Sequence, residues 1–143
     1  MEKVCFKTFE GKQTLGIFYD DPMAIKDENQ MRMIIACVVK ESEKDLIKPF
    51  LEKNKDFESR ILPTSDSMQF DFPYRNFLSH MIGPNKVYPA FGEKLENGEM
   101  GDMKPGNFAV MEVYSKDTIT YTFIYGDDID DFLFSKYPNP VYK

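Results

Sequence analysis

A chain of 143 residues with 42% hydrophobic and 29% charged side chains has the length and balance of one globular domain. Its 24 acids outnumber 18 bases, for a net charge of −6, and the bases sit among acids, as in Glu41-Ser42-Glu43-Lys44-Asp45. This excludes a nucleic-acid-binding face, which needs a basic surface to displace counterions.

The longest apolar run, residues 33–39, falls far short of the ~20 residues of a spanning helix. The expectation is a soluble intracellular protein, cytoplasmic or within an organellar or cytoskeletal assembly. Cys5 and Cys37 lack metal or redox spacing and read as two buried thiols. No cofactor motif is present.

Residues 1–9 read as a helix end stopped by Glu10-Gly11-Lys12. Residues 14–19 alternate as a strand broken by Asp20-Asp21-Pro22. After a long loop, residues 31–40 read as a second strand. It is apolar on both faces, as in a central, covered position. Leu46, Ile47, Phe50 and Leu51 make a helical stripe within residues 42–55, capped by Ser42 and kinked or cut short at Pro49. Residues 57–62 and 68–72 read as third and fourth strands, ended by Pro63 and Pro73.

Residues 74–95 carry a helical stripe of Phe77, Leu78, Met81, Ile82, Val87, Phe91 and Leu95. Gly83-Pro84 and Pro89 divide it into two pieces. The clearest signal is a β-hairpin: residues 108–114 and 118–125 alternate, with Ser115-Lys116-Asp117 as the turn. Tyr121 and Phe123 are expected in the core. Glu112 falls on one face with Phe108, Val110 and Tyr114, and is expected within reach of at least two aromatic rings. Residues 127–131 read as an acidic turn, 132–134 as a pin and 137–143 as an extended end. The fold class is α+β with a largely antiparallel sheet.

Three stretches, LGIFYDDP at residues 15–22, FDFPYRNFLSHMI at 70–82 and AVMEVYSKDTITYTFI at 109–124, together resemble the GyrI-like (gyrase-inhibitor-like, SOUL superfamily) small-molecule-binding domain, in the branch typified by testis-expressed protein 264. The resemblance implies two β-α-β-β halves around a groove. It sets a domain over residues 1–134, with a tail over 135–143. Only about fourteen residues precede the first strand, so the first half lacks its initial strand and most of its helix. The open edge this leaves, near Thr14 and Tyr19, is expected to pair with a protein partner or a second copy.

The resemblance also implies a ligand site at Glu112, with Tyr19, Tyr74 and Tyr121 lining it, for a small apolar or cationic ligand. His80 has no serine or cysteine visibly paired with it and is not assigned a catalytic role. The expected function is a non-catalytic binding or scaffold module within a larger assembly. The alternatives are a small-molecule-binding protein and a hydrolase using Glu112.

Overall fold

The computed structural model describes residues 8–9, 12–20, 26–62, 64–99 and 108–125. The strands are β1 (Thr14–Phe18), β2 (Met33–Cys37), β3 (Ser67–Pro73), β4 (Phe108–Tyr114) and β5 (Thr118–Tyr125). The α-helices are α1 (Ile47–Lys53) and α2 (Leu78–Glu96), with 3-10 turns at Glu28–Gln30 and Glu41–Leu46. The strands form one antiparallel sheet in the order β2-β1-β4-β5-β3. The α+β class with an antiparallel sheet is thus as expected. The readings of residues 1–7, Glu10, Gly11 and 126–143, including Cys5 and the tail, lie outside the described residues.

The hairpin forms as its alternation dictates. β4 and β5 pair from Phe108↔Tyr125 to Tyr114↔Ile119, and Ser115 N–H donates to Thr118 O at 2.9 Å to close the turn. Tyr121 and Phe123 are fully buried. Because side chains alternate across a strand, the hairpin supplies both faces of the sheet. One face gathers Val110, Ile119, Tyr121 and Phe123 beneath Val87 and Phe91 of α2, with Phe91 stacked on Phe123 at 3.7 Å and 11°. The opposite face gathers Leu15, Ile17, Tyr19, Ala109 and Ile124.

The structure corrects six expectations. The helical stripe over residues 74–95 is one continuous helix, with Pro84 and Pro89 inside it. An interior proline costs about 3 kcal/mol of intrinsic propensity. Here Ser79, Gly83, Val87 and Phe91 are buried at four-residue spacing, and packing of that face outweighs propensity. The helix ends at Gly98, whose φ of 72° suits the residue just past a helix; its N–H donates to Leu95 O at 3.1 Å.

Residues 42–55 begin as a 3-10 turn and become α-helical only at Ile47, and no side chain caps that helix. Pro49 then falls in the first α-turn, where its missing N–H is not needed. Residues 57–62 are not a strand, and Ile61 is 91% exposed.

The fourth correction concerns the sheet edge. β1 is paired on both sides, by β2 and β4, so residues 14–19 are not an edge. Among the described residues the edges are β2 and β3. β2 is therefore not a central strand. Ile34 and Ala36 pack on the Leu15–Ile17 cluster, while Met33 and Ile35 are 44% and 43% exposed on the other face. Cys37 at its end is partly exposed rather than buried.

The sheet has an internal two-fold logic. β3-α2-β4-β5 is a strand–helix–strand–strand unit. β1 and β2 pair in a register that matches that of β4 and β5 across the β1–β4 seam. Gly16 faces Glu112 across the seam; Gly16 pairs with Ile35 as Glu112 pairs with Tyr121, and Phe18 pairs with Met33 as Tyr114 pairs with Ile119. Ile35 and Met33 thus correspond to Tyr121 and Ile119, both fully buried under α2. No described helix covers the β1–β2 half of that face.

Candidate functional site

Glu112 lies mid-strand in β4 with Gly16 of β1 on one side and Tyr121 of β5 on the other. It is 6% exposed. A buried carboxyl needs partners, and two phenols supply them. Tyr114, two residues on along the same face, donates a short hydrogen bond to Oε2. Tyr88 of α2 reaches Oε1 at 3.5 Å. The expectation that Glu112 sits within reach of at least two aromatic side chains holds. Burial is the dominant influence and raises its pKa; the hydrogen bonds from Tyr114 and Tyr88 and the nearby His80 pull the other way. The Tyr114 phenol is in turn pushed far above its ordinary range, first by burial and then by the hydrogen bond to Glu112 and its charge.

His80 stands over this group from the first turn of α2. Its ring lies 5.0 Å from Tyr74 and 5.1 Å from Tyr114, and Nε2 is 3.4 Å from Tyr74 Oη. Asn76 positions the turn by accepting from Leu78 N–H at 3.0 Å. The Tyr74 backbone is tied to the hairpin turn by its N–H to Asp117 O at 2.9 Å.

Tyr74, His80 and Tyr114 form one wall of a partly open pocket of about 370 Å³, with Thr14, Gly16, Phe18 and Ile35 opposite. Gly16 makes the floor: a Cβ there would meet Phe18 Cε2 at 2.9 Å, so Gly16→Val would crowd the pocket. A larger concavity of about 520 Å³ runs along α1 past Lys44, Lys48 and Lys55. It is shallow, and Glu112 and its tyrosines lie elsewhere.

The four residues expected at the site therefore separate. Tyr74 lines the pocket. Glu112 lies behind the wall and communicates with it through Tyr114. Tyr121 is adjacent to Glu112 but sealed under α2, where its phenol finds no hydrogen-bond partner among the described residues. Tyr19 is on the opposite face with Leu15 and Ile17, its phenol raised by burial and partly relieved by Arg60 and Arg32. His80, Tyr114, Tyr88 and Gly16 were missed as site residues. Tyr114 was findable, because two-residue spacing from Glu112 puts it on the same face.

Asp20, just after β1, is engaged by Arg32: Nη2 and Nε donate to its carboxylate at 2.7 and 3.0 Å, and Arg32 N–H at 2.7 Å. Among the described residues no three His, Cys, Asp or Glu side chains are grouped to hold a metal, and no helix is long and apolar enough to cross a membrane. No family model, curated protein or solved structure matches the chain.

The raised Glu112 pKa fixes the sign of a pH dependence. The folded chain holds this proton more tightly than the unfolded chain, whose group titrates near 4.5. Its contribution to stability therefore falls as pH rises from that value through the folded pKa, then levels off. Glu112→Gln, which keeps an acceptor for Tyr114, is expected to remove this decline and to be the more stable protein at neutral pH. Urea unfolding of both proteins from pH 4 to 8 checks this; parallel curves would contradict it.

Proposed function

We propose that this chain is a non-catalytic binding module of GyrI-like architecture, whose pocket takes a small ligand with an apolar body and a cationic or hydrogen-bonding head. The observation that carries the reading is a pocket walled by Tyr74, His80 and Tyr114, the last of which donates to the buried carboxyl of Glu112. Phe18 and Ile35 supply apolar surface, and the phenols and imidazole supply polar contacts, a composition typical of small-molecule sites. A cation beside Tyr114 would favour the charged form of Glu112 and gain its attraction together with that of the aromatic faces. Glu112 does not line the pocket, which favours binding over general acid–base work on a ligand.

The architectural part of the reading is supported by the three sequence stretches in order, and by the strand–helix–strand–strand unit joined to a lesser strand pair.

The test is a thermal-shift titration with benzyltrimethylammonium and with a neutral aromatic of the same size. The cation is expected to raise the melting temperature of the wild type, less so for Glu112→Gln, and not for Tyr74→Ala. Absence of any shift at millimolar concentration, or a shift that survives in both variants, rules the pocket out as the site.

A further inference from the structure

The first half of α2 is apolar on two opposite sides. Inward it buries Ser79, Gly83 and Val87 against its own sheet. Outward it presents Phe77 just before its first residue, then Leu78, Met81 and Ile82, at 74%, 56%, 59% and 47% exposure. An apolar stripe on a helix is normally covered. Beside it lies the second unsatisfied surface, the uncovered β1–β2 floor, where Met33 and Ile35 stay more than 40% exposed while their counterparts Ile119 and Tyr121 are sealed by a helix.

We infer that this face is the interface of a homodimer in which α2 of each copy lies over the β1–β2 floor of the other. The two helices then form a single layer between two sheets. Each helix packs inward on its own sheet and outward on the partner's.

Three observations favour a second copy as the occupant. The ridge and the trough are on the same face of one chain, so a two-fold axis matches each to the other in one isologous contact. The six side chains named carry no charge, although the chain as a whole is at −6. Their exposed area is on the order of several hundred Å² per copy, the upper end of what a monomer shows and near the per-partner share of a standard interface.

The other route to association, through the strand edges, is less suited to the face. Pairing β2 with another β2 would extend the sheet but leave the floor and the helix ridge open. The dimer proposed here also roofs the mouth of the Tyr74–His80 pocket, but it does not depend on a ligand being there.

The test is sedimentation equilibrium of the wild-type chain, Met33→Lys, Met81→Lys and Ile61→Lys. All three substituted side chains are already exposed, so the fold tolerates the lysines; circular dichroism checks this. The wild type is expected to be dimeric at about 100 µM, an affinity within reach of such an interface. Met33→Lys, in the trough, and Met81→Lys, on the ridge, are each expected to weaken self-association by about tenfold or more, as removal of a central apolar contact does. Ile61→Lys, on the loop after α1, should leave it unchanged. A wild-type monomer at that concentration, a dimer indifferent to both the trough and the ridge lysine, or one broken equally by Ile61→Lys overturns the inference.

Discussion

Gly83→Ala is expected to destabilise the protein by about 2 kcal/mol, although alanine is the better helix former by up to ~1 kcal/mol. The opposing contribution is steric. A Cβ at position 83 would stand 2.3 Å from Tyr121 Oη and 3.3 Å from Phe72 Cδ1. Tyr121 is fully buried between α2 and the sheet, with the Tyr88 ring 6.4 Å away, so it has no free direction in which to retreat. Overpacking of this kind costs ~1–3 kcal/mol in a filled core, and the largest values belong to contacts as close as this.

The same geometry identifies the remedy. Tyr121→Phe removes the oxygen that the new methyl would strike. By itself it also removes a buried hydroxyl with no partner among the described residues, so Tyr121→Phe alone should be neutral or stabilising by about 1 kcal/mol. The double variant Gly83→Ala/Tyr121→Phe should recover most of the loss, a coupling that a double-mutant cycle in urea reads directly. Additive effects would show that the helix, not the phenol, gives way.

Asp20→Ala should be costlier still, about 3–5 kcal/mol. The Asp20 side chain is fully buried and that of Arg32 is 16% exposed. The guanidinium and backbone N–H of Arg32 both donate to the carboxylate, locking the end of β1 to the approach to β2, where Tyr19 N–H also donates to Arg32 O at 3.1 Å. Removing the acid takes from a largely buried cation the carboxylate to which it donates; removing both charges does not break up the pair one-sidedly. Asp20→Leu/Arg32→Met is therefore expected to be much closer to wild type than Asp20→Ala. If the single and double variants unfold at the same denaturant concentration, the pair is not the source of the stability.

Both effects lie where the sequence was hardest to read. The hairpin was legible because β4 and β5 alternate without interruption and are rich in β-branched and aromatic residues, a local signal that the tertiary structure leaves alone. Glu112 was legible for the same reason: alternation alone puts it on one face with Tyr114. The failures have a common cause in non-local pairing. Tyr19 falls on the wrong face because strand parity relative to Glu112 depends on the Gly16↔Glu112 register, which no local pattern contains.

β2 reads as a central strand because Met33 and Ile35 are as apolar as Ile34 and Ala36. Sequence does not distinguish a side chain facing the core from one on an open face. The division of α2 at its prolines was reasonable from propensity, and was overridden by the buried line from Ser79 to Phe91. His80 has no nucleophile beside it in the sequence, yet its ring forms a pocket wall.

The seam between β1 and β4 has a consequence for how the chain is made. Thr14 pairs with Tyr114, a separation of 100 residues. β1 and β2 leave the ribosome before β4, and the β1 side of that two-stranded ribbon stands open until β4 emerges. A two-stranded hairpin is marginal alone, and contacts of such long sequence range form late. Until β4 follows, the apolar run from Met33 to Cys37 is without its sheet. This nascent segment, rather than the finished protein, is where a chaperone has most to shield.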